Sequence, residues 1–293
     1  MMINRYYLLT LVSGFLILIP RLMHSQPLSD KPLPVQLYSD NGDNFVVIAH
    51  RGASAYYPEN TMSAFKAAYE LGAEMIELDI TLSKDGEIVV IHDEKLGRTT
   101  NRKGRVVDFT LEQLKELDAG SWFDASFTSE KIPTLEEVLI FAKDKIALNI
   151  EIKTEAVTKN TFSGIEERSL ELVKKYGMEE HVIFSSFDYR AISHLRELDV
   201  DIPLALLYDR RQAARKLPSV LLDIFNANAF NCNYRKLSKK WIKDVSAHKI
   251  PVFVYTVNKE KDMQKLIESG VSGIFSDKPD VLKMVVDKLW ETK

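Results

Sequence analysis

Five ionisable side chains interrupt or end apolar runs in a way that could serve one reaction. His50 and His92 each end a short apolar run, and Glu77, Asp79 and Glu151 lie inside two further runs. Runs this apolar are typical of strands that are buried on both faces, as in a parallel sheet. A buried charge costs several kcal/mol unless it is paired or bound to a metal. The repeated pattern therefore indicates one shared site.

The three carboxylates have the spacing of ligands for a divalent cation. Residues two apart in a strand share a face, so Glu77 and Asp79 point the same way, about 6.5–7 Å apart at their backbones. Glu151 lies in a strand with the same alternation. Oxygen ligands without cysteine suit Ca²⁺ or Mg²⁺, with Mn²⁺ as a further candidate. The alternative is a salt-bridge network in which Arg51 and Lys153 balance the carboxylates.

The histidines and two nearby cations suit chemistry at a phosphate. Histidine titrates near neutral pH, so His50 and His92 are a natural acid–base pair. Metal ligation is their alternative role. Arg51 and Lys153 add two positive charges beside the predicted metal site, and such groups suit a phosphate oxyanion. Charge balance for the carboxylates is the alternative for these two.

Two further polar residues, Glu59 and Asn60, follow Pro58 and come just before the first predicted helix. Glu59 is a candidate ligand or orienting group. Asn60 is a candidate site residue, with helix capping as its alternative role.

Composition places the chain among ordinary globular proteins. It has 293 residues, 45% hydrophobic content and a net charge of -3, which allows a sizeable core. Lysines and arginines are dispersed along the sequence, so we expect no nucleic-acid partner. The single cysteine, Cys232, excludes an internal disulfide.

The first 25 residues have the pattern of an export signal. Arg5 precedes an uncharged apolar run over residues 8–20. This run is short for a membrane span of ~20 residues but suits a signal-peptide core. We predict a signal peptide over residues 1–25 and a linker over residues 26–44, hence a periplasmic or secreted protein. An uncleaved N-terminal membrane anchor and a buried helix are the alternatives.

Strands and helices alternate regularly from residue 45 onward. About eight strand–helix units over some 245 residues match a (β/α)8 TIM barrel in size and order. This predicts a barrel domain over residues 45–293. The polar segment 97–127 breaks the rhythm and is predicted to be a small inserted subdomain. A doubly wound open sheet is the alternative, but the first strand is not followed by the Gly-rich turn usual in such sheets.

Seven motifs, in order along the chain, carry a resemblance to a known family. They are HRGASAYYPENT (50–61), ELD (77–79), DGEIVVIHDEKLGRTTN (85–101), NIEIK (149–153), SSFD (185–188), YTVN (255–258) and GIFSDKPD (273–280). Over about residues 45–290 the chain closely resembles glycerophosphodiester phosphodiesterases. The resemblance implies a TIM barrel with a small insertion. It also implies metal-dependent hydrolysis of glycerophosphodiesters to glycerol 3-phosphate and an alcohol.

The resemblance further implies roles for individual residues. It implies that His50 and His92 are the acid–base pair and that Arg51 and Lys153 bind the phosphate. It implies that the metal ligands are Glu77, Asp79 and Glu151. Glu59 falls in an active-site motif of the family. Phe187 and Tyr255 are expected to line the glycerol or head-group side. Tyr255 stands where the family often has Trp, which affects the expected substrate preference and not the chemistry.

Two other functions fit parts of the same pattern. A related barrel with lysophospholipase D or sphingomyelinase D-like activity would need an apolar entry surface, which Trp122, Phe123 and Phe127 in the insertion could supply. A non-catalytic phosphate- or metal-binding module would be signalled by loss of a histidine or carboxylate, and this sequence retains them. We expect a small-molecule substrate, and membrane contact only through the N-terminus or the insertion.

Overall fold

The computed structural model describes residues 45–159 and 163–291, in which strands and helices alternate. The strands are β1 (Val46–His50), β2 (Met75–Leu82), β3 (Ile88–Val90), β4 (Ala147–Ile152), β5 (Val182–Ser186), β6 (Leu204–Leu207), β7 (Ala229–Asn233), β8 (Val252–Tyr255) and β9 (Gly273–Ser276). The helices are α1 (Met62–Glu70), α2 (Leu111–Glu116), α3 (Leu135–Ala142), α4 (Ile165–Tyr176), α5 (Tyr189–Leu198), α6 (Arg210–Ala213), α7 (Pro218–Phe225), α8 (Lys239–Ala247), α9 (Glu260–Glu268) and α10 (Pro279–Glu291).

Eight of these strands form a closed parallel barrel. The order around the ring is β1, β2, β4, β5, β6, β7, β8 and β9, and β9 pairs with β1 to close it. The predicted (β/α)8 barrel is therefore confirmed. β3 lies outside the ring and pairs antiparallel with β2, with Ile80 opposite Val90. The expectation that the apolar run ending in His92 is a parallel strand is wrong, because the short connection over residues 83–87 cannot make a parallel crossover.

Apolar side chains fill the barrel interior toward the amino ends of the strands. Val46, Ile48, Ile183 and Phe253 belong to this inner cluster, while strand residues of the opposite parity pack under the helices. Gly273 lets β9 approach β1, since an added Cβ would lie 2.8 Å from the carbonyl oxygen of Val46. Buried polar side chains begin in the middle of the strands, at Asn149 and Asn231, and continue toward the carboxyl ends, where the loops meet.

The predicted insertion, residues 97–127, has an apolar cluster of its own. Val106 and Leu114 are buried there. The insertion packs on the connection that follows β1, where the rings of Tyr57 and Phe127 lie 5.5 Å apart in an edge contact. It therefore lies at the carboxyl-end face of the barrel.

The predicted signal peptide, residues 1–25, and the linker, residues 26–44, lie outside the described residues. Within residues 45–159 and 163–291, no helix has the length and apolar character needed to cross a membrane. Export stays a prediction.

Candidate active site

The carboxyl ends of the barrel strands surround a cavity of about 190 Å³. Seven of the predicted site residues line it, namely His50, Arg51, Glu77, His92, Glu151, Phe187 and Tyr255. Asp79 and Lys153 bond to each other next to this lining. Glu59 and Asn60 line a smaller adjoining cavity together with His92. Parallel strands end at the same side of a barrel, so residues far apart in sequence converge here.

The three predicted metal ligands lie side by side on β2 and β4. Asp79 is opposite Glu151 in register, and single oxygens of Glu77, Asp79 and Glu151 all lie within 4.8 Å of one another. Glu77 and Asp79 are buried, and the Glu151 side chain is 12% exposed. Burial and the neighbouring negative charges disfavour ionisation. They hold the pKa of Glu77 well above its usual value and raise the pKa of Glu151 to about 7.

Two cations neutralise part of this negative charge. Lys153 Nζ donates to Asp79 Oδ1 over 3.2 Å and to Glu151 Oε1 over 2.8 Å. Arg51 Nε lies 3.3 Å from Asp79 Oδ2. Burial would raise the pKa of Asp79, but Lys153 and Arg51 outweigh it and hold that pKa well below its usual range. Salt bridges are thus formed at Asp79 and, through Lys153, at Glu151, yet the pKa values of Glu77 and Glu151 stay raised.

The loop after β1 supports this cluster with an unusual backbone. Arg51 and Asn60 have φ angles of 54° and 57°, in the left-handed region that residues other than glycine rarely adopt. The Arg51 backbone N–H donates to Glu77 Oε2 over 2.9 Å, and Asn60 Nδ2 donates to Asp79 Oδ2 over 2.9 Å. The capping role considered for Asn60 is wrong, because the N-cap of α1 is Thr61.

An aspartate that the sequence analysis missed orients His50. His50 Nδ1 lies 2.7 Å from Asp277 Oδ1, which also accepts from Ser54 Oγ over 3.0 Å. Asn258 Nδ2 donates to Asp277 Oδ2 over 2.5 Å. Burial opposes ionisation of Asp277, but these bonds outweigh it and lower its pKa. A carboxylate at Nδ1 keeps the ring proton there and leaves Nε2 for a substrate. Asn258 and Asp277 lie in the motifs YTVN (255–258) and GIFSDKPD (273–280), and this position in the motifs was the sequence signal that could have identified them as site residues.

His92 has a matching aspartate, held by an arginine of the insertion. His92 Nδ1 lies 2.6 Å from Asp93 Oδ1, and Arg98 Nε donates to Asp93 Oδ2 over 2.5 Å. The bonds from Arg98 and His92 lower the pKa of Asp93 to about 2. Arg98 also donates to both oxygens of Glu59, which accepts from Arg51 over 2.8 Å as well. This geometry supports the orienting role for Glu59 over the ligand role.

His92 reaches the cavity from outside the barrel ring. β3 returns alongside β2, and Ile91 N–H donates to the carbonyl oxygen of Asp79 over 3.0 Å. This bond brings His92 to the level of the carboxylates. This location agrees with the sequence-based expectation. The reason given for it, a parallel barrel strand that ends at the rim, is wrong, because β3 is the returning arm of a hairpin. Burial lowers the pKa of His92, so the neutral ring predominates at neutral pH.

Aromatic rings form another wall of the cavity. The rings of Phe187 and Tyr255 lie 6.2 Å apart at 84° to each other, and Tyr255 is 6.1 Å from Phe275. Burial raises the pKa of Tyr255, so its hydroxyl stays protonated. The wall is mostly apolar and lines the same cavity as Glu77 and Glu151, as expected for residues that contact the part of a ligand without phosphate.

A family model described as the glycerophosphoryl diester phosphodiesterase family matches residues 50–281. The chain belongs to this family. It is 41% identical over 244 residues to a glycerophosphodiester phosphodiesterase of Caldanaerobacter subterraneus subsp. tengcongensis, covering 83% of this chain and 98% of that protein. It is 34% identical over 258 residues to a glycerophosphodiester phosphodiesterase of Bacillus subtilis, covering 83% of this chain and 87% of that protein.

Solved structures of the glycerophosphodiester phosphodiesterases share the fold. A phosphodiesterase of Oleispira antarctica in complex with the product sn-glycerol-3-phosphate has a TM-score of 0.76 and 30% identity, covering 82% of this chain and 96% of that one. A glycerophosphodiester phosphodiesterase of Agrobacterium tumefaciens has a TM-score of 0.72 and 28% identity, covering 82% of this chain and 99% of that one. The predicted family is confirmed, and so is the prediction that the chain is an enzyme of this class.

Proposed function

We propose that this phosphodiesterase hydrolyses small-molecule glycerophosphodiesters to glycerol 3-phosphate and an alcohol. The observation that carries the proposal is one cavity at which two aspartate-bound histidines meet three clustered carboxylates. Membership of the family supports the reaction class. The Oleispira antarctica relative, which holds sn-glycerol-3-phosphate, supports the product.

We propose that one divalent cation binds Glu77, Asp79 and Glu151. All three donors are carboxylate oxygens, which suits Ca²⁺ or Mg²⁺, with Mn²⁺ as a further candidate. Burial, together with the negative charge of the neighbouring carboxylates, raises the pKa values of Glu77 and Glu151, and a bound cation would offset both effects. When bound, such an ion offsets charge on phosphoryl oxygens.

Arg51 and Lys153 supply the remaining positive charge for a phosphate. Arg51 lines the cavity, and its planar guanidinium suits phosphate oxygens. Burial would lower the pKa of Lys153, but Asp79 and Glu151 outweigh it and raise that pKa. Both side chains therefore stay protonated and oppose the charge that develops during hydrolysis.

His50 and His92 act as the acid–base pair. With Nδ1 protonated toward an aspartate, a neutral ring accepts a proton at Nε2 from the nucleophile. The nucleophile is water, or it is the glycerol hydroxyl of the substrate, in which case a cyclic phosphate forms and water then opens it to glycerol 3-phosphate. The other ring, protonated, donates its Nε2 proton to the leaving alcohol. Asp277 and Asp93 orient the rings and stabilise the imidazolium form.

Release of glycerol 3-phosphate from glycerophosphocholine tests the reaction and its metal together. Activity should disappear after chelation and return when Ca²⁺, Mg²⁺ or Mn²⁺ is restored. Full activity in the chelated protein would refute the proposed requirement for a divalent cation. The absence of turnover with all three ions would refute the proposed hydrolysis of glycerophosphodiesters.

Histidine variants test the acid–base pair. His50→Ala and His92→Ala should each lower kcat by ~10²–10⁴ with the fold intact. The matched control is His248→Ala, because that side chain is 58% exposed and follows the last residue of α8, away from the cavity lining. Circular dichroism would confirm folding, and unchanged turnover in either active-site variant would remove that residue from the mechanism.

Cleavage of intact lipids is the second candidate function. Tyr56, on the connection after β1, and Trp122, in the insertion, are each 38% exposed, and both segments lie at the carboxyl-end face, which favours a lipid-accessible entrance. Comparing choline release from lysophosphatidylcholine and from glycerophosphocholine separates the two activities. Faster turnover of the lysolipid would favour the lipid phosphodiesterase.

We further propose that residues 1–25 direct export, as their uncharged run suggests. Fractionation of cells that express the full chain tests this. Protein found only in the cytoplasm with an intact N-terminus would refute it.

A further inference from the structure

Two connections beside the cavity form a strongly basic surface, here called the basic rim. It consists of the exposed side chains Arg210, Arg211, Arg215, Lys216, Arg235, Lys236, Lys239, Lys240 and Lys243. Segments 208–217 and 233–243 contain these nine cations and a single acid, Asp209, for a local net charge of +8. The whole chain carries -3, so the remaining residues carry -11.

The barrel places the two segments next to each other at the mouth of the cavity. They follow the adjacent parallel strands β6 and β7, in which Leu207 is opposite Asn231. The rings of Tyr208 and Trp241 lie 4.7 Å apart and join the two connections. Leu207 itself lines the cavity. Cations that look dispersed along the sequence are thus collected on one side of the active-site entrance.

Ion pairing within the fold does not explain these cations, although Arg235 donates to the hydroxyl group of its neighbour Tyr234. Within the part of the chain that the structure describes, none of the nine forms an ion pair. Asp209 instead accepts hydrogen bonds from the backbone N–H groups of Arg211 and Gln212. Lys239 and Lys240 occupy the first turn of α8, the positive end of its dipole, where a cation is disfavoured. An anionic partner would offset this cost.

Exposed aromatic residues lie across the entrance from the basic rim. Tyr56 is on the connection after β1 and Trp122 is in the insertion, and each is 38% exposed. Tyrosine and tryptophan favour the interface between lipid and water. A ligand inside a cavity of about 190 Å³ would reach neither the aromatic side nor the basic rim. An extended surface would contact both at once.

We propose that the carboxyl-end face of the barrel docks on an anionic phospholipid surface. The basic rim lies against the phosphate head groups, Tyr56 and Trp122 enter the interface, and the cavity mouth faces the lipid. Attraction between dispersed basic side chains and an anionic bilayer is additive and acts within a Debye length of about 8–10 Å. This docking is independent of the proposed reaction and has a readout of its own.

Sedimentation of the full-length chain with vesicles tests the proposal. The probes are vesicles of phosphatidylcholine alone and of phosphatidylcholine with about 30% phosphatidylglycerol, at low and high salt. The anionic vesicles should bind more protein at low salt. The triple variant Arg211→Glu, Lys236→Glu, Lys240→Glu should lower that partition coefficient about a hundredfold. Hydrolysis of glycerophosphocholine should stay unchanged, since these residues do not line the cavity.

A matched triple variant controls for net charge. Lys66→Glu, Lys143→Glu and Lys265→Glu make the same charge change at exposed positions on the outer helices or at the opposite end of the barrel. Partition of this control should change by less than about threefold. Equal losses in both triple variants would overturn the proposal, as would equal binding of the native protein to neutral and anionic vesicles. The N-terminal segment is common to every protein compared, so the differences report on the rim.

A second variant separates a lipid surface from a soluble polyanion. Trp122→Ala should weaken binding to anionic vesicles severalfold and leave retention on a soluble polyphosphate unchanged. If the rim variant lost polyphosphate or nucleic-acid binding while vesicle binding stayed normal, the partner would be a soluble polyanion and the lipid proposal would be wrong.

Discussion

In the absence of a divalent cation, ionisation of Glu151 should make the stability of this phosphodiesterase fall as pH rises from about 4.5 to about 7. Burial and Asp79 raise the pKa of Glu151 from 4.5 to about 7. Between these values the folded state holds a proton that the unfolded state has lost, so the free energy of unfolding decreases with rising pH. The contribution is fully present below about pH 4.5 and is lost by about pH 7.

The magnitude follows from the size of the shift. A displacement of about 2.5 pKa units corresponds to about 3 kcal/mol at 1.36 kcal/mol per unit. Glu77, whose pKa is also raised, acts in the same direction. A few kcal/mol is a large share of the 5–15 kcal/mol that typically separates folded and unfolded domains. A cation that favours the ionised carboxylates should restore this stability, and most strongly at pH 8.

Urea unfolding of chelated protein between pH 5 and 8 provides the assay. His92 must be considered because its pKa is lowered by burial, which makes stability rise with pH below about 6.5. The Glu151→Gln variant keeps this histidine effect and removes the carboxylate effect. The difference between native protein and variant should therefore change by about 2–3 kcal/mol across the range. Repeating the series with Ca²⁺ or Mg²⁺ should stabilise the native protein more than the variant.

Two results would refute this reasoning. Parallel stability curves for the native protein and Glu151→Gln from pH 5 to 8 would show that Glu151 does not carry a raised pKa. Equal stabilisation of both proteins by the cation would place the metal elsewhere than at Glu77, Asp79 and Glu151.

Three further substitutions probe the groups around the site. Asp277→Asn removes the carboxylate at His50 Nδ1 and should lower kcat ~10–10²-fold with little change in KM; an unaltered kcat would contradict the orienting role. Arg98→Gln removes the bond that helps keep the pKa of Asp93 at about 2. Its destabilisation should be greatest above pH 4 and vanish toward pH 2 in acid-unfolding curves, and a loss independent of pH would contradict this. Gly52→Ala should lower the thermal midpoint, because φ is +83° and the new Cβ would lie 2.6 Å from the backbone of Ala64; a native midpoint would show that the loop relaxes freely.

The sequence by itself determined the barrel and most of the residues around the cavity. Alternating strands and helices in about eight units select a small set of architectures, because each apolar run must be covered by the element that follows it. The placement of Glu77 and Asp79 on one face follows from strand geometry alone. Their grouping with Glu151 follows from the rule that parallel strands present their carboxyl ends on one side.

Only the tertiary structure decided which groups complete the site. Asp277 bonds His50 across 227 positions in the sequence, and Arg98 of the insertion bonds Glu59 and Asp93. These contacts depend on which loops adjoin after the ring closes, and no local pattern encodes that neighbourhood.

The direction of β3 and the charge of the basic rim both depend on which strands are neighbours in the folded barrel. Local apolar content predicts that residues 88–91 form a strand, but strand direction depends on the partner to which a short connection leads. Segments 208–217 and 233–243 are separate in sequence, and only the adjacency of β6 and β7 sums their charges on one surface. Local sequence patterns thus determine the secondary-structure elements and which of their faces are buried. Which strands pair, and how the charges of separate segments add up on one surface, is decided only when the barrel closes.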